Sequence, residues 1–390
     1  MIQLAEGMGR LGTETAFEVL ARAEALRAQG RDIINLGIGQ PDFRTPEHIV
    51  EAAAKALRDG QHGYTPANGI LPLREAIAAE WLKRYRVTID PGRILVVPGG
   101  KVTMFFAISM LGERGAEIIY PNPGFPIYES VIRWTGAAPI ALPLLEKNGF
   151  AFRAEDVLQR VTPRTRLIII NSPANPTGGV TPRAEVDKLA KGLERFPDVV
   201  VLSDEIYGRI VYDGNEHVSL LEYESLRDRL ILLDGFSKTY AMTGWRLGYA
   251  LWPAAMIEGA TRLAVNCHSC VNAASQWAGI AALQGPQDSV DRMVRAFDER
   301  RRYIVGALNQ TPGLRCGEPG GAFYVFPNVE GTGLSAKAAQ TRLLEEAGVA
   351  TVAGTSFGAH GEGYLRLSYA NSLDNIKEAV RRIGACLNGR

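Results

Sequence analysis

Lys238 lies in the stretch Gly235-Phe236-Ser237-Lys238-Thr239-Tyr240-Ala241-Met242-Thr243-Gly244-Trp245-Arg246, directly after the apolar run Leu230-Ile231-Leu232-Leu233. Such a run of branched aliphatics, stopped by Asp234-Gly235, reads as a buried parallel strand. The lysine therefore follows a strand's carboxyl end, where open α/β sheets place their ligands. An amine at that place suits carbonyl chemistry through a Schiff base, and Arg246 can hold an anion. A surface lysine after a strand is the ordinary alternative.

Other polar residues follow the carboxyl ends of other apolar runs. After Ile94 to Val97 comes Pro98-Gly99-Gly100-Lys101, opening a helix over 102–111. Glycines before a helix N-terminus leave N–H groups free for a phosphate, although the same tripeptide makes an ordinary tight turn. Lys101 opposes the helix dipole, which a nearby anion or plain solvation would relieve. After Ile118 to Tyr120, Phe125 is placed to stack on a flat heterocycle or to close a helix–sheet gap. Asn175, in Asn175-Pro176-Thr177-Gly178, is an amide at a constrained loop apex. Asp204 and Tyr207 follow the strand Val199 to Leu202. A half-buried carboxylate there requires a cation, either an arginine or a protonated ring nitrogen.

The elements that position these groups alternate. Strands are predicted at Ile94 to Val97, Ile118 to Tyr120, Leu167 to Ile170, Val199 to Leu202, Leu230 to Leu233 and Leu247 to Leu251. Helical patterns lie between most of them, including Pro182 to Phe196 with Thr181 as N-cap. The fold class is α/β, with a mainly parallel central sheet flanked by helices. Beyond a long charged helix, about Asp288 to Leu308, strand-like Ala322 to Phe326 and Tyr364 to Tyr369 with two helices form a smaller α+β unit. Near the N-terminus a helix over Thr13 to Arg27 carries Phe17, Leu20 and Ala21 on one face, with Thr13 as cap. The expected division is 1–45 packing with the small unit, 46–287 as the large domain and 288–390 as the small domain. Gly37-Ile38-Gly39-Gln40 is no dinucleotide fingerprint, since a third glycine and a following helix start are missing; its glycines let backbone approach a ligand.

Composition narrows the partners. The chain has 390 residues, 46% of them hydrophobic and 22% charged, with a formal net charge of +1. That is the composition of a soluble globular protein, and the balance recommends neither a nucleic acid nor an anionic membrane as partner. Four cysteines, Cys267, Cys270, Cys316 and Cys386, are too scattered for a disulfide scaffold and point to the reducing cytoplasm. Cys267 and Cys270 spell C-x-x-C without a second pair, so inert thiols are expected rather than a metal site. Met1 to Arg10 lacks the apolar core of a secretory signal, and no run approaches the ~20 apolar residues of a membrane span.

In order along the chain, Asn175-Pro176-Thr177-Gly178, Ser203-Asp204-Glu205-Ile206-Tyr207, Ser237-Lys238, Gly244-Trp245-Arg246 and Arg366-Leu367-Ser368-Tyr369 resemble the class I aminotransferases. These are pyridoxal 5'-phosphate enzymes of fold type I, the aspartate aminotransferase fold. The resemblance covers essentially the whole chain and is greatest to the bacterial aspartate aminotransferase branch with Gly-Gly-Lys at the phosphate turn. It implies that Lys238 carries the cofactor as a Schiff base and shuttles the substrate proton, and that Asp204 pairs with the pyridinium nitrogen. Tyr207 and Asn175 would bond the phenolic oxygen, and Phe125 would stack on the ring. Gly100 and Lys101 backbone, Ser237 and Arg246 would hold the phosphate, joined by Tyr64 from the neighbouring subunit of a homodimer. Arg366, with Asn175 and the Gly39 backbone, would grip the α-carboxylate of an amino-acid or 2-oxo-acid substrate.

Three departures stand out. Gly235 replaces a serine found in many relatives, so Ser237 must do more for the phosphate. The usual neighbour-subunit arginine for a distal carboxylate has no counterpart in Asn266 to Gln276. In the Gly-Gly-Lys branch that lysine serves instead, which makes Lys101 the candidate for the distal carboxylate of aspartate or glutamate, yet the branch's small hydroxyl residues are replaced around Glu14 to Phe17. The expected activity is ping-pong transamination, with glutamate/2-oxoglutarate in one half-reaction and aspartate as first choice in the other. The alternatives are aromatic, alanine or other neutral donors, or a β-lyase or decarboxylase on the same fold. A cofactor-sensing transcription regulator would need an appended DNA-binding domain.

Overall fold

Runs of isoleucine, leucine and valine too apolar to face water on either side build the central sheet, and a computed structural model describes its setting for residues 2–388. In chain order the strands are β1 (Ile34–Asn35), β2 (Ile94–Val97), β3 (Glu117–Asn122), β4 (Ala138–Pro143), β5 (Thr165–Asn171) and β6 (Val200–Asp204). They continue with β7 (Leu230–Gly235), β8 (Gly248–Leu251), β9 (Tyr324–Val325), β10 (Val349–Ala350), β11 (Val352–Ala353) and β12 (Leu365–Ser368). Seven of them form one sheet in the order β2-β8-β7-β6-β5-β3-β4. Its β3/β4, β3/β5, β5/β6 and β6/β7 pairs are parallel, while β8 runs antiparallel to both β7 and β2.

That single reversal matters for the site. The carboxyl ends of β2, β3, β5, β6 and β7 all open on one edge. Because β8 is inverted, its amino end, just after Arg246, reaches the same edge.

Helices close both faces. Ile94, Val96, Ile168, Val201 and Leu232 pack to one side and Leu95, Val97, Ile169, Leu202 and Leu233 to the other, so the strands alternate between two buried layers. Edge strand β4 was not marked by its sequence, Ala-Pro-Ile-Ala-Leu-Pro, because it begins exposed and carries two prolines.

A second apolar cluster forms around Phe297, Phe323, Tyr324, Leu365 and Tyr369. It includes strands β9 and β12 of the three-stranded antiparallel sheet β11-β12-β9 and most of the buried stripe of helix Asp288–Asn309. The parallel pair β1-β10 joins residues 34–35 to 349–350.

The N-terminal helix, Thr15–Ala28, corrects the face read from its sequence. Val19, Ala23 and Leu26 are buried against Ile33, Leu344 and Ala350, whereas Phe17 is 58% exposed. The helix carries two apolar stripes, and the one with Phe17 and Leu20 faces the cavity described below. Glu14, not Thr13, takes the N-cap position and makes no capping bond. Likewise helix Arg183–Leu193 starts after Pro182 without side-chain capping, and the Thr181 N–H donates to Ser172 Oγ at 3.0 Å. No helix among the described residues is long and apolar enough to cross a membrane.

Candidate active site at the strand ends

A cavity of about 470 Å³ opens at the common strand edge, and twelve positions singled out from sequence divide cleanly around it. Gly39, Gly100, Lys101, Phe125, Asn175, Asp204, Tyr207, Ser237, Lys238, Arg246 and Arg366 all line it. Tyr64 does not: its side chain is 95% exposed and borders a separate recess with Cys270, Val271 and Asn272.

Asp204 ends β6 and is buried. Tyr128 donates its hydroxyl proton to Asp204 Oδ2 at 2.6 Å, and the Ile206 N–H reaches Oδ1 at 3.3 Å. Burial pushes the carboxyl up to about 6 despite those two donors, with Asp234 and Glu205 adding negative field. A carboxylate so placed is short of a cation. Asn171 supports the loop beside it, donating from Nδ2 to Asp204 O at 3.0 Å and accepting the Asn175 N–H at 2.9 Å.

Lys238 Nζ donates to Gly39 O at 2.5 Å, with the Tyr207 and Phe323 rings 5.9 and 5.7 Å away. Burial, then the fields of Arg366 and Arg246, pull this amine down to about 8. A neutral nucleophilic amine is thus accessible close to physiological pH.

Arg366 reaches the cavity from β12 and is buried. Its Nη1 donates to Asn175 Oδ1 at 3.0 Å and its Nη2 to Gly37 O, while Tyr324 and Phe357 lie 4.7 Å from the guanidinium carbon. Its buried Nε has no partner among the described residues. A fork held between two rings, with donor capacity left over, is built for a planar anion.

Gly99, at φ +94°, and Gly100 form the turn into helix Lys101–Leu111. The helical ladder begins with Val102 N–H to Gly99 O at 3.1 Å, leaving the N–H groups of Gly100 and Lys101 at the open end. A Cβ on Gly99 would stand 2.2 Å from Arg246 Nη2, so the glycine lets the guanidinium lie on the turn. Ser237 is buried beside them. The glycine in place of serine at 235 also has a local reason. Gly235 pairs with Gly248 across β7 and β8, and a Cβ would meet Gly248 Cα at 3.1 Å and Ile206 Cδ1 at 3.2 Å.

Lys101 has an intramolecular partner that its sequence position did not reveal. Its Nζ is hydrogen-bonded to Glu14 Oε1 and lies 5.5 Å from the Phe125 ring and 5.9 Å from that of Phe17. The anion that offsets the unfavourable helix-dipole position is a side chain of the same chain.

Two tyrosines were not foreseen. Tyr324 shares a 2.8 Å hydrogen bond with the Tyr207 hydroxyl, and Tyr128 holds Asp204. Tyr128 sits in the first turn of helix Ile127–Thr135, one turn after Phe125. An i, i+3 aromatic pair opening a helix at the strand edge was the available signal. Nothing in the short strand Tyr324–Val325 distinguishes Tyr324 from core aromatic residues.

The residues present fit pyridoxal phosphate: a buried carboxylate with no cation among the described residues, an amine whose proton is held less tightly than usual, an aromatic face, an anion cradle at a helix start and a spare guanidinium donor. Among the described residues no group of three or more His, Cys, Asp or Glu could hold a metal ion.

Residues 31–383 match the family model described as aminotransferase class I and II. The aspartate aminotransferase of Geobacillus stearothermophilus is 38% identical over 395 residues, covering 100% of both chains. Aromatic-amino-acid aminotransferase 2 of Thermococcus litoralis is 38% identical over 91% of this chain and 92% of its own. Among solved structures, the aspartate aminotransferase from Rhizobium meliloti superposes with a TM-score of 0.95 at 34% identity, covering 100% of this chain and 99% of that one.

Proposed function

Because the chain belongs to the class I and II aminotransferases and is a transaminase, we propose that it moves an amino group between an L-amino acid and a 2-oxo acid with pyridoxal 5'-phosphate, in a ping-pong cycle. When bound, the cofactor supplies an aldehyde that carries the amine and a ring that takes up the electrons released at the substrate Cα.

Lys238 would hold the cofactor through its amine and would serve as the base and acid that moves the proton at the substrate Cα. Asp204, kept in place by Tyr128, would pair with the ring nitrogen and keep it protonated. Tyr207 and Asn175 bond the phenolic oxygen, and Phe125 covers the ring. The Gly100 and Lys101 N–H groups, Ser237 and Arg246 hold the phosphate. Tyr64 of the partner subunit in a homodimer completes that cradle, which accounts for a tyrosine lying bare on the surface here. Arg366 grips the α-carboxylate with Asn175 and the Gly39 backbone. Four free, scattered cysteines support the cytoplasm as its place.

Glutamate/2-oxoglutarate is assigned to one half-reaction, with Lys101 meeting the distal carboxylate; aspartate is the first choice for the other. A second reading, neutral or aromatic donors, is favoured by Glu14 on Lys101 and by the Phe17 and Leu20 stripe in the cavity wall. The carrying observation for the mechanism is the convergence of Lys238, Asp204 and Arg366 on one cavity. Purified protein with cofactor and 2-oxoglutarate, given one amino acid at a time, should form glutamate with at least one of them, and Lys238→Ala should abolish it. Multiple turnovers by that variant would end the assignment.

A further inference from the structure

Where the N-terminal helix meets the start of helix Lys101–Leu111, the cavity wall carries Lys101 and Glu14, bonded to each other. Their exposures differ: the Lys101 side chain is 43% exposed and that of Glu14 only 14%. Around them Phe17, Leu20, Ile38, Met104 and Phe125 present apolar surface. Glu14 is in electrostatic reach of the reacting groups as well, favouring the protonated forms of Lys238 and Arg366. A distal substrate carboxylate arriving at Lys101 therefore meets a competing carboxylate tethered in the same chain, at high effective concentration. If both anions crowd the one ammonium, they repel; if Glu14 stays, the substrate's charge is left unpaired among aromatic rings.

We propose that Glu14 is a specificity-determining residue: paired with Lys101 it closes off the cation, so that the site takes amino acids with large neutral, apolar side chains against Phe17 and Phe125, and it must be displaced from Lys101 before a dicarboxylic substrate binds. This rests on the transaminase reading above and gives its two half-reactions different states of one ion pair. With the pair closed, this part of the cavity wall is neutral and apolar. With the pair open, Lys101 serves the distal carboxylate of glutamate or 2-oxoglutarate, and Glu14 turns toward water.

Binding of two unreactive ligands to the holoenzyme tests this: succinate, which carries a distal carboxylate, and 3-phenylpropionate, which carries a ring. Dissociation constants are measured by calorimetry for the wild-type protein, Glu14→Gln and Glu14→Ala. The expected result is that both variants favour succinate over 3-phenylpropionate more than wild type does, by about two- to fivefold, the size of one released partly exposed ion pair. An unchanged ratio, or one moving the other way, overturns the proposal. Glutamate formation by the wild-type protein is followed in parallel. Normal turnover with an unchanged ratio sinks the role of Glu14 alone, whereas no turnover with any amino acid removes the transaminase reading and this inference together.

Discussion

Replacing Tyr128 by phenylalanine removes one hydroxyl from a fully buried ring and leaves its packing intact. The lost group is the 2.6 Å donor to Asp204 Oδ2; the other donor to that carboxylate among the described residues is the Ile206 N–H, at 3.3 Å. A hydrogen bond to a charged group contributes about 1.5–3 kcal/mol, and about 1.4 kcal/mol corresponds to one pKa unit, so the variant's carboxyl should titrate about 1–2 units higher. Asp204 already stands at about 6 in the cofactor-free protein. The change carries it to about 7–8, so that at pH 7 the ionised form that a pyridinium needs falls to about half or less. Cofactor affinity at pH 7 should then fall by about two- to tenfold, in proportion to the ionised fraction. The assay is the dissociation constant of pyridoxal phosphate from pH 5 to 9, by equilibrium dialysis, for wild type and Tyr128→Phe. The midpoint of the pH dependence should move up with the substitution. A variant that binds more weakly with an unmoved midpoint would refute the electrostatic role and leave Tyr128 as packing alone.

Arg366→Lys keeps the charge but loses the fork, and should raise KM for every amino acid and oxo acid by about tenfold or more, as measured by steady-state kinetics; a selective effect on dicarboxylates would contradict its assignment to the α-carboxylate. Gly39→Ala would place a Cβ 2.3 Å from the Tyr324 hydroxyl, so it should disturb the Tyr207–Tyr324 pair and lower kcat/KM, while a wild-type value would show that the loop yields freely. Asp204 is raised by burial from 3.8 to about 6, so its contribution to folding is full below pH 4 and lost as pH rises through 6. Denaturant unfolding of the cofactor-free protein should therefore show Asp204→Asn gaining on wild type between pH 4 and 7, on the order of 3 kcal/mol, and a gap independent of pH would contradict the burial argument.

Much of this was legible in the sequence because strand ends in an open α/β sheet are marked twice, by an apolar run and by the polar residue that ends it. Asp204 and Lys238 follow such runs and meet where that logic places them. What stayed hidden depends on long-range pairing or strand direction. The reversal of β8, which brings Arg246 to the shared edge, leaves no trace in local pattern. Glu14 and Lys101 are 87 residues apart, so only the fold makes them partners. The N-terminal helix misled because two apolar stripes compete, and periodicity does not say which one packs against Leu344 and which one lines a cavity. Tyr64, expected at the site, is 95% exposed and lies outside the cavity; only the partner subunit proposed above would give it a place there.

The central claim is that Lys238 is the amine that holds the cofactor. Borohydride reduction of the protein after incubation with pyridoxal phosphate, followed by proteolysis and mass spectrometry, tests it directly. One cofactor per chain is expected, fixed to the peptide containing Lys238. Cofactor on a different lysine, or none on any, would contradict it.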